Sequence, residues 1–197
     1  MQLTPAQLSA HLTNHGLPAI MSVFGDTPLL IDDALQQIRR FAREQGIDER
    51  QRWLQDNQFD WQQLNDQSAS LSLFSTLKLV ELELPEGKPG REGGEALRNY
   101  AQAPTADQIL IIIGPKLKQE QLKAKWYKEL TAAGPVVTAN SPERSALPRF
   151  IQQRAQLHQV QLQPDATQLL ADWFEGNLLA LDQELQKLAL SDLPQPL

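Results

Sequence analysis

The sequence predicts an α/β protein: a mostly parallel sheet with helices on both faces, followed by a small three-helix domain. Three observations carry that expectation. Apolar strand-like runs alternate with helical patterns as far as Asn140, which is the signature of a sheet built from crossover units. Ile109-Leu110-Ile111-Ile112-Ile113 is apolar at every position, as a central strand buried on both faces must be. After Asn140 strand-like runs stop and only helical spacing continues.

Leu3 to Leu12 read as a first helix, with Leu8 and Leu12 four apart and Pro5 in the opening turn, where its missing N–H costs nothing. Ala19 to Phe24 read as a buried strand that ends at Gly25-Asp26-Thr27-Pro28. Thr27 suits an N-cap and Pro28 the first helical position, after which Ile31, Ala34, Leu35, Ile38, Phe41 and Ala42 keep helical spacing up to about Gly46. Further strands are expected at Arg52 to Leu54, Lys78 to Leu84, Gln108 to Ile113 and Val136 to Thr138. Helices are expected at Trp61 to Ser68, Glu95 to Ala103 and Gln119 to Ala133, with Pro85 to Gly94 a breaker-rich surface loop. Ser141-Pro142-Glu143 reads as a linker between a first domain, residues 1–140, and a second, residues 141–197. The second has helices carrying Leu147, Phe150 and Ile151, then Ala166, Leu169, Leu170, Trp173 and Phe174, then Leu178, Leu181, Leu185 and Leu188. The tail from Ser191 to Leu197 lacks a pattern of its own, and the chain reads as a fragment of a longer one.

Composition narrows the function classes. A chain of 197 residues with 41% hydrophobic and 21% charged residues has the makings of a packed core and is not a disordered segment. Without cysteine it can hold neither a disulfide nor a thiolate metal site. The longest apolar run is far too short to span a bilayer, and no secretory signal follows Met1, so a cytoplasmic protein without membrane contact is expected. A net charge of −6 argues against binding nucleic acid directly.

Candidate sites are few. Gly25-Asp26-Thr27, between a strand and a capped helix, stands where a P-loop would sit. It has no second glycine and no lysine, carries an aspartate that repels phosphate, and is followed by a proline without an N–H. A degenerate nucleotide site without hydrolysis is the expectation, with helix capping sufficient to explain the residues. His11 and His15 are four apart but lack a third ligand and an intervening glutamate, so no metal is expected. No catalytic constellation and no cofactor fingerprint is visible. Lys116, Lys118, Lys123, Lys125 and Lys128 form a basic cluster diluted by Glu120 and Glu129, which reads as a solvated face. Finally, Leu71-Ser72-Leu73-Phe74 sets three large apolar side chains in a polar stretch, as either a buried turn or an exposed hook.

Taken in order, several of these segments resemble the delta subunit of the bacterial DNA polymerase III clamp loader. They are Leu3-Thr4-Pro5-Ala6-Gln7-Leu8, Gly25-Asp26 with Pro28-Leu29-Leu30, Ser72-Leu73-Phe74, Lys116-Leu117 with Trp126 and Leu130, and Glu175-Gly176-Asn177-Leu178-Leu179-Ala180-Leu181 with Glu184, Lys187 and Leu188. The resemblance implies a RecA/AAA+-like domain without a working P-loop, a helical lid, and a collar domain that this chain stops short of. It implies DNA replication as the process and no catalysis by the chain itself. It also implies that Leu73 and Phe74, with Leu71 and Ser72 beside them, insert into a hydrophobic pocket of the beta sliding clamp and help open the ring. The implied partners are that clamp and the gamma/tau and delta prime subunits, with DNA contacted only indirectly. At the position where many clamp-binding peptides carry glutamine, this chain has Ala69. The rival readings are a nucleotide- or cofactor-binding enzyme using the strand ends at Gly25 and Gly114, and a direct DNA binder using the lysine cluster.

Overall fold

A computed structural model describes residues 1–64, 77–191 and 196. It divides into two compact units: Met1–Asp26 with Leu30–Asn140, and Thr27–Leu29 with Ser141–Leu197.

The first unit is built on six strands, β1 (Gln2–Leu3), β2 (Ile20–Gly25), β3 (Arg50–Leu54), β4 (Lys78–Glu83), β5 (Gln108–Pro115) and β6 (Val136–Thr138), in the order β1-β6-β2-β5-β4-β3. Every pairing is parallel, so all strand C-termini lie along one edge of the sheet. The crossovers run through α1 (Pro5–His15), α2 (Pro28–Glu44), α3 (Gly90–Gln102), α4 (Gln119–Lys123) and α5 (Lys125–Ala133), with a 3-10 turn at Trp61–Leu64. β5 is central, and its residues Leu110, Ile111 and Ile112 are fully buried. One face of the sheet packs Val80, Leu82, Leu110 and Ile112 against Leu97 and Tyr100 of α3 and Trp126, Tyr127 and Leu130 of α5. Burial at roughly 2 kcal/mol per large apolar side chain makes this cluster the chief source of cohesion.

The structure bears out the parallel α/β fold and corrects several boundaries. Gln2 and Leu3 form an edge strand beside β6, so the first helix begins at Pro5 and not at Leu3; a two-residue strand carries no periodicity to read. β3 begins two residues earlier, at Arg50. Residues 90–94 are not loop but the first turns of α3. Packing calls for the glycine at 93, since a Cβ there would lie 2.2 Å from Cζ2 of Trp61. The single helix expected from Gln119 to Ala133 is broken at Ala124, which is extended. Gln121 is tied to the turn after β4 by hydrogen bonds from its Nε2 to the carbonyls of Glu86 and Gly87, while Trp126 and Tyr127 turn into the core. Tertiary demands override the continuous helical spacing at this point.

In the second unit, α6 (Leu147–Leu157), α7 (Pro164–Phe174) and α8 (Leu178–Ala189) bury Leu147, Ile151, Leu170, Leu178, Leu181 and Leu185. Pro148 and Pro164 stand in the opening turns of α6 and α7, and Asn177 caps α8 by accepting from the Ala180 N–H. The outcome for α7 differs from its sequence pattern: Leu170 is buried, whereas Trp173 is 69% exposed and Leu169 47%.

Candidate functional site

The strand ends at Gly25, where phosphate would be bound in a nucleotide-dependent relative of this fold, are closed. Phe24 and Gly25 pair with Gly114 and Pro115 of β5. On the other side the Ala139 N–H donates to the Phe24 carbonyl at 2.8 Å. That approach brings the Ala139 carbonyl so near that a Cβ on Gly25 would lie 2.0 Å from its oxygen. Glycine is needed here for the close passage of two backbones, not to curl around a ligand. The Asp26 carboxylate lies 2.9 Å from the Lys116 Nζ, at the adjoining end of β5. Thr27 is buried, and Pro28, without an N–H, opens α2. A phosphate approaching this corner would meet a carbonyl oxygen and a carboxylate. The amide ring that a P-loop provides has no counterpart in these residues.

Leu71, Ser72, Leu73 and Phe74 lie outside the described residues, but the residues that lead to and from them are well placed. Trp61 and Leu64 are buried in the core, and the Leu64 carbonyl accepts a buried hydrogen bond from Gln108 Nε2 at 3.2 Å. The chain is described again from Leu77, which is exposed, just before β4 begins at Lys78. Gln108 and Lys78 are the first residues of their strands and are register partners. The described residues on either side, Leu64 and Leu77, therefore lie at the N-terminal edge of the sheet, opposite the edge that carries Gly25, Asp26 and Lys116.

The remaining candidates resolve simply. The His11 and His15 rings lie 4.7 Å apart between centroids, tilted at 39° to one another. Burial first, then the neighbouring His15 and the N-terminus, push His11 below the usual histidine value. Among the described residues no three His, Asp or Glu side chains are grouped to hold a metal ion. Of the lysine cluster, Lys116 is engaged with Asp26. No helix among the described residues is long and apolar enough to cross a membrane.

Two buried ionic clusters were not anticipated from the sequence. Glu81 of β4, 1% exposed, accepts from Arg39 of α2 through both oxygens at 2.7 and 2.8 Å, with Arg50 of β3 at 3.6 Å. Those bonds, larger in effect than the burial that opposes them, raise Arg39 above the usual arginine value. Asp182 of α8, 4% exposed, accepts from Arg154, lies 2.6 Å from His158 Nε2, and accepts from Gln186 Nε2 at 2.8 Å. Burial by itself would raise the Asp182 carboxyl, but the hydrogen bonds and charge of Arg154 and His158 outweigh it and hold the group below the usual aspartate value. The signal in each case was an acid at an apolar position, between Val80 and Leu82 or one turn from Leu178 and Leu185.

A parallel sheet of this order, helix-covered and followed by a small helical unit, defines a RecA/AAA+-like α/β protein. Domain III of the Thermotoga maritima replication initiation protein DnaA, 15% identical, covers 92% of this chain and is itself covered over 80% of its length, with a TM-score of 0.53. Within that class the chain belongs to the DNA polymerase III delta subunit family, whose model matches residues 22–140. It is 35% identical over 190 residues to the Escherichia coli DNA polymerase III subunit delta, an alignment that takes in 96% of this chain and 55% of the relative. The Bacillus subtilis DNA clamp loader delta protein, 17% identical, shares the fold with a TM-score of 0.69 over 95% of this chain and 57% of its own. The chain thus spans about half the length of the curated relatives it matches.

Proposed function

We propose that this chain is the clamp-engaging part of a replication clamp loader: Leu73 and Phe74, flanked by Leu71 and Ser72, dock into an apolar pocket of the beta sliding clamp and favour its open form. The observation that carries this reading is membership of the delta family across residues 22–140, a stretch that contains the tip. An aromatic and an aliphatic anchor entering one pocket have the form of an interface hot spot, and their burial contributes on the order of 2 kcal/mol each. Residues 1–140 form the clamp-binding α/β domain in this proposal, and residues 141–197 a helical lid. DNA is reached through the clamp.

The mechanism is mechanical. A ligand shifts a ring between closed and open only as far as it binds the open state better, so the chain needs no bond chemistry of its own. The closed corner at Gly25, Asp26 and Lys116 supports this division of labour. ATP hydrolysis falls to partner subunits of the gamma/tau type, with delta prime completing the assembly.

The test is capture of purified beta clamp by immobilised wild-type chain and by Leu73→Ala, Phe74→Ala. The double variant should keep its circular dichroism and bind at least about a hundredfold more weakly, the equivalent of about 3 kcal/mol. Undiminished capture, or a double variant that does not fold, would refute the hook. Calorimetry with ATP should show no binding; binding in the micromolar range would favour the enzyme reading instead.

A further inference from the structure

The helical unit holds less than a third of the chain but carries five of the eight exposed large apolar side chains among the described residues. On α7, Leu170, Ala171 and Thr167 are buried against the unit's own core. Leu169 and Trp173, one turn apart, extend that apolar arc into solvent, with exposures of 47% and 69%. An amphipathic helix normally presents an apolar stripe only as wide as its neighbours cover. The uncovered strip is bordered by Asp165 and Asp172, which follow it around the helix at three- and four-residue spacing.

The charge beside the strip is negative on balance. Between Arg154 and Lys187 there is no lysine or arginine, while Asp165, Asp172, Glu175, Asp182 and Glu184 fall in that stretch. Asp182 is spent on Arg154 and His158 in the interior. Glu184 is paired with Lys187 at 2.9 Å, and Arg144 lies 3.7 Å from Asp172 and 3.3 Å from Glu175, so one guanidinium serves two carboxylates and Asp165 adds a further negative charge beside the strip.

We propose that the Leu169–Trp173 strip of α7 is a docking face for an amphipathic helix of a partner protein, one that presents leucine-type side chains flanked by lysine or arginine. An exposed tryptophan with an aliphatic neighbour is the usual nucleus of a helix-binding face, and the carboxylate border selects a basic flank. A second copy of this chain fits poorly. A two-fold contact would set the same carboxylates against each other. The proposal is independent of the clamp reading, which uses Leu73 and Phe74.

The probe is a dye-labelled synthetic helix of leucine and lysine, compared with the same helix carrying glutamate for lysine. Anisotropy should show the wild-type chain binding the lysine helix at least about tenfold more tightly than the glutamate one, an advantage that shrinks as salt rises. Acrylamide quenching of tryptophan fluorescence should fall when the lysine helix is bound. Leu169→Ser with Trp173→Ser should weaken binding about tenfold. Asp165→Lys with Asp172→Asn, which leaves the apolar pair intact, should remove the preference between the two helices. Clamp capture should be unchanged in both variants. Equal affinity for the two helices, affinity unaltered by the serine substitutions, or a wild-type dimer in sedimentation that those substitutions dissolve would overturn the proposal.

Discussion

Among the described residues each unit of the molecule buries one carboxylate, and the two are neutralised differently. Glu81 of the sheet unit faces guanidinium groups only, from Arg39 and Arg50. Asp182 of the helical unit faces one guanidinium and one imidazole, both from the last turn of α6 and its C-cap, where cations are also favoured by the helix dipole. Around Glu81 stands a six-stranded sheet whose central strands are buried on both faces, through Val80, Leu82, Leu110 and Ile112 on one and Met21, Val23, Leu79 and Ile111 on the other. Around Asp182 stand three short helices with few large buried side chains. A small unit has less apolar burial with which to offset chain entropy, so losing its polar cluster removes a larger share of what holds it together. The sheet unit can lose a comparable energy and remain folded.

The sharpest way to break this contrast is Arg39→Met. It leaves Glu81, 1% exposed, with only Arg50 at 3.6 Å, and stranding a buried carboxylate costs about 3 kcal/mol. Urea unfolding of the whole chain should show that loss in the transition of the sheet unit. Replacing both partners, Arg39→Met with Glu81→Met, should recover most of it, because an apolar pair of similar volume carries no desolvation cost. A double variant no better than the single would mean that Glu81 is needed for more than neutralising Arg39.

Asp182→Asn should cost somewhat less, about 2 kcal/mol, through weakened charge-assisted bonds to Arg154 and His158. Its signature is pH. The folded carboxyl titrates below the usual aspartate value, so the unfolded chain takes up the proton first as the solution is acidified. The stabilisation is complete above the unfolded value of about 3.9 and is lost as pH falls through the lower folded value. Hydrogen exchange of α6 and α8 amides should show wild type losing protection below about pH 4, toward the level of Asp182→Asn. If wild type and variant keep a constant difference down to pH 2, the carboxylate is not the source of the effect.

The fold was legible because burial on both faces leaves a continuous mark, as in Ile109 to Ile113, and because Thr27-Pro28 and Pro164 announce helix starts. Residues 90–94 do not read as helix because three glycines in five residues, just after Pro89, normally mean a loop, and only the Trp61 ring lying across Gly93 explains a glycine there. Spacing likewise could not reveal the break at Ala124, which depends on carbonyls of Glu86 and Gly87 far away in the chain. Of the sites, Gly25-Asp26-Thr27 was recognisable as a strand-to-helix turn without the second glycine and lysine of a P-loop. The approach of Ala139 to Gly25 and of Lys116 to Asp26 was not, because both partners come from other strand ends. Leu71 to Phe74 stood out by composition, while their proposed role came from resemblance and not from any local rule.

The smallest effect isolates burial from pairing. Arg52 and Glu83 are joined across the same two strands as Arg50 and Glu81, by a single bond of 2.5 Å, yet Arg52 is 66% exposed and Glu83 31%. The hydrogen bond to Glu83, more than the nearby charge, raises Arg52 above the usual arginine value. Solvent screening reduces what such a shift means for stability, and exposed pairs of this kind contribute about 0.2–1 kcal/mol. Arg52→Ala should therefore cost less than a third of Arg39→Met in the same urea experiment, and its cost should fade in high salt while that of Arg39→Met persists. Equal costs for the two arginines would mean that strand-edge geometry, and not the loss of water around Glu81, sets the strength of both pairs.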